Sequence, residues 1–183
     1  MNLEEANSIN FKEKYLVKTD FPEITLTNLP QDILMKIKRA FTGIKSEFTS
    51  LTQYSYQHIV LSNDEKVNNI SRALEEIAAK EMMHYEVLGK VLAVCGVEPK
   101  NCVYIDGNKN LCDYWKASNV DYTTNIVKMF ESNLAAEKRA IEEYNEILAA
   151  TTNDNLKDII RRIIQDEVSH VEYFSTVLEA LKN

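Results

Sequence analysis

Glycine and proline are scarce in this chain, at four and three residues among 183. A chain so poor in breakers has few places to turn, so its elements must be long. Cys95, Cys102 and Cys112 are odd in number and include no C-x-x-C pair, which argues against both a disulfide framework and a zinc ribbon; free thiols are expected. Apolar runs are short: none reaches the roughly 20 residues that span a bilayer, so no membrane partner is expected. The N-terminus, Met-Asn-Leu-Glu-Glu, lacks the basic and apolar regions of a signal peptide. A reducing, cytoplasmic location is therefore expected. No block of Lys or Arg offsets the formal net charge of -7, which argues against a nucleic-acid partner.

What is present is ordinary in bulk, 45% hydrophobic and 27% charged, and long enough for one domain with a real core. Residues 1–28 show no sustained period. They read as an extended arm lying on the body of the protein or across a partner subunit. A first long helix is predicted from Asn28, with Pro30 in its first turn and Gln31 completing a capping box. Its apolar stripe, Ile33, Leu34, Ile37, Ala40, Phe41, Ile44, Phe48 and Leu51, carries it to about Val60 or Leu61 with Gly43 a mild interruption. A second helix runs from Ser62–Glu65 to Cys95, closed by Gly96 and Pro99. Residues 97–118 are turn-rich and aromatic (Tyr104, Tyr114, Trp115), the length of a crossover pinned to the surface. A third helix from about Asn119 or Asp121 to Ala150, a tight turn at 151–154 and a fourth from Leu156 to about Leu181 complete the pattern. The fold class expected is all-α: a four-helix bundle over 29–183, with a long crossover between the second and third helices.

Within that frame Glu81-Met-Met-His84 is echoed by Glu167-Val-Ser-His170, and the match continues in register through Glu86/Glu172, Val91/Val177 and Leu92/Leu178. A carboxylate and an imidazole at i and i+3 share one helical face and can grip one ion. A single E-x-x-H is weak, so further polar residues on apolar stripes matter. Glu47 lies among Ile44, Phe48 and Leu51, and Glu137 between Leu134 and Ile141. Each is followed seven residues later by a tyrosine, Tyr54 and Tyr144, two turns along the same stripe. The chain thus reads as two copies of one helix pair, with Glu-to-Glu separations of 34 (Glu47 to Glu81) and 30 (Glu137 to Glu167). Together the copies supply four Glu and two His, enough for two metal ions. Burying four carboxylates without cations would be very costly.

This residue set resembles the ferritin-like di-metal carboxylate superfamily, and within it the rubrerythrin and manganese-catalase branches, over roughly residues 30–182. The resemblance implies a ferritin-like bundle and two Fe or two Mn ions. It implies Glu47 and Glu137 as terminal ligands, Glu81 and Glu167 as bridging ligands, and His84 and His170 as one imidazole per metal. Tyr54 and Tyr144 resemble the tyrosines that bind and orient the ligand carboxylates. Two departures stand out. Rubrerythrins carry an extra glutamate one turn from a terminal ligand, where this chain has Ser50 and Ala140. They usually carry a rubredoxin-type iron site from two C-x-x-C pairs, absent here.

The implied activity is an oxidoreductase acting on hydrogen peroxide or dioxygen, with rubrerythrin-like peroxide detoxification leading. Manganese catalase, iron oxidation or storage without turnover, and a helical interaction module with structural metals are the alternatives. A peroxidase would need a separate electron donor protein, and a homodimer or larger homo-oligomer is the expected assembly. Other polar residues read as structural: His58 as packing or surface, Glu86 and Glu172 as solvated, and Met82 and Met83 as core filler. Asp166 could accept a hydrogen bond from a ligand histidine, but Lys80 at the equivalent position of the other copy argues against that role.

Overall fold

The structure of the chain, a computed structural model, describes residues 2–101 and 115–183. Among the described residues there are helices and no strand. Two short helices, α1 (Leu3–Asn7) and α2 (Phe11–Lys14), precede an irregular stretch that runs to Pro30. Five longer helices follow: α3 (Gln31–Thr42), α4 (Glu47–Leu61), α5 (Asn68–Val94), α6 (Ile126–Ala150) and α7 (Asp154–Lys182). α4 packs along α5 and α6 along α7, two hairpins that face each other as a ferritin-like bundle. Gly96 ends α5 with a φ of 76°, a conformation that its missing Cβ permits. Of the crossover, Trp115 packs edge-on against Phe48 with ring centroids 4.8 Å apart. Cys102, Tyr104, Cys112 and Tyr114 lie outside the described residues, while Cys95 is a half-buried free thiol. Among the described residues no helix is long and apolar enough to cross a membrane.

The core is divided. One apolar cluster gathers Tyr54, Ile70, Leu74, Ile77, Phe130 and Phe174, and the other Phe41, Leu88, Leu92, Ile147, Ile159 and Ile163. Along α5, Ile77 belongs to the first and Leu88 to the second; along α7, Phe174 to the first and Ile163 to the second. The opposite order reflects opposite helix directions. On both helices the E-x-x-H pair falls between the two clusters, so a polar layer sits between two greasy ends.

The first long helix expected over 28–61 is instead two helices. α3 ends at Thr42, Gly43 turns to an extended ψ of -177°, and Ser46 caps α4 by accepting from the Thr49 N–H. A Cβ on Gly43 would lie 2.5 Å from the Arg39 carbonyl oxygen, so only glycine leaves room for this turn. Thr49 Oγ1 then donates to the Ile44 carbonyl at 2.9 Å, satisfying a group the broken helix leaves free. Ile44, counted on the apolar stripe, is exposed. Nor does the expected Asn28–Gln31 capping box form, since Pro30 occupies the cap position of α3 without a side-chain bond. The break puts Glu47 in the first turn of α4, where the helix dipole favours a carboxylate.

Two further boundaries differ. α6 begins at Ile126 rather than near Asn119, because Asn125 caps it and the preceding segment is tied to α4 by Asp121 N–H donating to Gln53 Oε1 at 2.9 Å. The N-terminal residues carry α1 and α2 as well as irregular chain, and they lie against α5 and α7 of their own chain. Lys80 Nζ donates to the Val17 carbonyl at 3.2 Å, Arg162 Nε to Thr19 at 2.6 Å and Asn155 Nδ2 to Glu23 at 2.9 Å.

Gly43→Ala forces the new methyl into the Arg39 carbonyl and should destabilise the fold by about 1–3 kcal/mol. Urea denaturation at matched metal content measures this. An unchanged midpoint would show that the break accommodates a side chain.

Candidate metal centre

Glu47 on α4, Glu81 and His84 on α5, Glu137 on α6, and Glu167 and His170 on α7 are all buried and converge on one point between the hairpins. His84 Nδ1 lies 3.4 Å from Glu47 Oε2, 3.4 Å from Glu81 Oε2 and 3.0 Å from Glu167 Oε1. His170 Nδ1 lies 3.1 Å from Glu81 Oε1, 3.3 Å from Glu167 Oε2 and 3.8 Å from Glu137 Oε2. Glu81 and Glu167 therefore reach both imidazoles, whereas Glu47 and Glu137 reach one each. The result is two overlapping groups, Glu47–Glu81–His84–Glu167 and Glu81–Glu137–Glu167–His170, each with its donor atoms within 4.8 Å of one another.

Five of these atoms are buried without a hydrogen-bond partner: Glu81 Oε1, His84 Nδ1, Glu167 Oε1 and Oε2, and His170 Nδ1. Buried polar atoms are rarely left unsatisfied. Carboxylate oxygens with imidazole nitrogens are the donor set that suits Fe or Mn, and the inward-facing orphans fit a pair of divalent ions.

The tyrosines brace this cluster crosswise. Tyr54 on α4 donates to Glu137 on α6, and Tyr144 on α6 donates to Glu47 on α4. The seven-residue spacing put each tyrosine on the stripe of its own glutamate, but α4 and α6 face each other, so each hydroxyl serves the opposite helix. Asp166 corrects the sequence reading: its Oδ2 lies 3.1 Å from His84 Nε2 and 2.8 Å from Arg162 Nη1. Lys80 was misleading because the two copies differ here. Met82 and Met83 are exposed rather than core filler, as their positions on α5 point away from both clusters. Glu86 and Glu172 are exposed, and His58 Nδ1 pairs with the Ser71 carbonyl at 2.9 Å as a packing group.

The two sides of the cluster are unlike. Between α4 and α6 a cavity of about 390 Å³ reaches Glu47, Glu81, Glu137 and Glu167, with Ser50, Gln53, Ala136 and Ala140 in its walls. On the imidazole side the N-terminal residues cover the site: the Phe21 ring lies 6.0 Å from His84, and Phe11 lies 6.0 Å from His170.

The rubrerythrin family model matches residues 41–178, a span that takes in every residue of the cluster. The chain belongs to the rubrerythrin family. Its fold is similar to that of KatB, a manganese catalase from Anabaena (TM-score 0.69, 22% identity, covering 91% of this chain and 81% of that one). It is also similar to Rhodobacter capsulatus bacterioferritin (TM-score 0.64, 19% identity, 81% and 84% covered) and to the Mycobacterium tuberculosis bacterioferritin BfrA (0.64, 17%, 85% and 89%). At these identities the likeness shows the ferritin-like fold. No curated protein matches the chain.

In this rubrerythrin-family chain the electrostatics follow from crowding. Burial, reinforced by the charges of Glu81 and Glu167, pushes Glu47 and Glu137 well above the usual carboxylate range. Burial also opposes ionisation of Glu81 and Glu167, but the glutamate and imidazole groups close around them hold both below that range. His84 and His170 are desolvated too, yet the surrounding carboxylates raise both well above ordinary imidazole. Burial and the adjacent glutamates raise Tyr54 and Tyr144, which keeps them as donors. Free of metal, the outer carboxyls and the imidazoles are thus biased toward their protonated forms, and the two central carboxyls toward ionisation. Two divalent ions, if bound there, would balance the charge of the four carboxylates.

Two predictions follow this balance. The raised groups stabilise the metal-free fold below their unfolded values, and that contribution is lost as pH rises through the raised values; Glu81 and Glu167 act oppositely, in acid. The melting temperature of metal-free protein should thus fall as pH rises above the ordinary imidazole range, while binding of two Mn²⁺ should release protons and tighten over the same range. Calorimetry in buffers of different ionisation enthalpy measures the release, and none at all would refute the assignment of protons. Tyr54→Phe frees Glu137 and should weaken metal binding by roughly 10–100-fold; wild-type affinity in equilibrium dialysis would count against the brace.

Proposed function

We propose that this chain is a dinuclear non-haem oxidoreductase that acts on hydrogen peroxide or dioxygen, a peroxide-detoxifying member of its family. The observation that carries the reading is the pairing of inward-facing orphan donors with a solvent-accessible cavity on their carboxylate side. Two Fe or two Mn ions, when bound, supply the redox chemistry. The protein's share is to hold and shield. Tyr54 and Tyr144 fix the outer carboxylates, Asp166 fixes His84, and the N-terminal residues keep water from the imidazole side. The cavity admits a molecule of the size of peroxide between small side chains, with Ser50 in its wall to hydrogen-bond it.

Manganese catalase is the second reading. It is favoured by the sequence's lack of C-x-x-C pairs, which leaves reductive work dependent on a separate donor protein, and by Ser50 and Ala140 in place of an extra carboxylate. Iron oxidation without turnover is the third. A homodimer or larger homo-oligomer is the proposed assembly.

Protein produced with Fe and Mn both available should carry about two ions per chain, and elemental analysis identifies which. Oxygen evolved from peroxide without reductant supports catalase, whereas consumption only with a donor supports peroxidase. Inertness of the loaded protein toward both peroxide and dioxygen would sink the proposal. Glu81→Ala combined with His84→Ala should abolish metal binding, and full retention would refute the site.

A further inference from the structure

We propose that the two metal positions are unequal: the Glu47–His84 position binds its ion more tightly and fills first, with Asp166 as the positioning residue that creates the difference. This rests on the reading of the cluster as a two-ion site. The cluster itself is close to two-fold, with one terminal glutamate, one imidazole and one tyrosine brace per position. The asymmetry lies immediately behind it.

Behind His84, Nε2 lies 3.1 Å from Asp166 Oδ2, and Asp166 is 1% exposed. A carboxylate at the outer nitrogen fixes the proton there, leaves Nδ1 free to face the cluster, and makes the imidazole a stronger ligand. Asp166 is itself held. Arg162 Nη1 lies 2.8 Å from the same Oδ2, Arg162 Nε donates to the Thr19 carbonyl at 2.6 Å, and its guanidinium stacks 4.7 Å from the Phe21 ring. Phe21 in turn lies edge-on to His84. Ring orientation is thus fixed at this position.

Behind His170 the matching place in the helix repeat belongs to Lys80, four residues before His84 as Asp166 is four before His170. An ammonium donates and cannot accept. Lys80 turns instead to the Val17 carbonyl, 3.2 Å away, and among the described residues no carboxylate stands at the outer nitrogen of His170, whose ring faces Phe11. One position has a carboxylate-backed imidazole and the other does not. Such backing changes metal affinity by roughly 10–100-fold.

The test titrates metal-free full-length protein with Mn²⁺, followed by calorimetry and by the EPR signal of free Mn²⁺. Two steps separated by about tenfold or more are expected; two equal steps overturn the inference while leaving the two-ion reading intact. Asp166→Asn should weaken the first step by roughly 10–100-fold and leave the second in place, whereas an equal loss in both steps marks a merely structural role and overturns it. His170→Ala should keep one ion at the affinity of the first step, and His84→Ala one ion at the weaker affinity. The reverse order overturns the inference, and these two variants decide the matter if Asp166→Asn does not fold. Binding of no ion by the wild-type chain defeats this inference and the two-ion reading together.

Discussion

Four carboxylates buried at one point are the constraint around which this molecule is built. Glu47, Glu81, Glu137 and Glu167 occupy a layer between two apolar clusters, where an unbalanced charge would cost more than the fold can supply. Protons on the raised carboxyls and imidazoles ease that cost, and two divalent ions would match the four carboxylate charges. The need for such balance holds with metal or without it. It also explains the neighbours: phenols whose burial keeps them protonated, and an Asp166 whose charge is matched by Arg162.

The duplication solves the geometric half of the problem. One hairpin brings a terminal glutamate and an E-x-x-H pair to the mid-plane, and a second hairpin facing it supplies the rest. Facing also accounts for the crossed tyrosines, since each brace must come from the opposite hairpin to lock the two together. The symmetry stops at the ligands. One face is closed by Phe11, Phe21 and the hydrogen bonds of the N-terminal residues, and the other opens through the cavity between α4 and α6. Protein groups secure the imidazoles on the closed face, and the open face presents carboxylates to whatever enters.

Much of this was legible in the sequence because helical periodicity fixes faces directly. E-x-x-H spacing, a glutamate on an apolar stripe and a tyrosine two turns on each state a direction in space, and all eight residues meet. Periodicity cannot report where a helix stops for local reasons. The stripe continues through Ile44, so the break at Gly43–Ser46 was hidden; its cause is a 2.5 Å approach of a would-be Cβ to a carbonyl, which no spacing encodes. The repeat itself misled at Asp166, where comparison with Lys80 suggested equivalence that the two halves do not have. Residues 1–28 read as an arm on the body, but with no period to read they could not say which face it covers.

Ser50 and Ala140 tie the electrostatics to the open face. Both line the cavity, at the positions where the rubrerythrin resemblance would put a further glutamate. A fifth carboxylate there would give the cluster one negative charge beyond what two divalent ions balance, and in a buried layer that charge would demand a proton or a more highly charged metal pair. With small side chains instead, the divalent pair is balanced by the protein alone. The small side chains also leave open volume beside the four carboxylates. Ser50 and Ala140 thus keep that face open, which supports the proposed chemistry on a small molecule admitted from solvent.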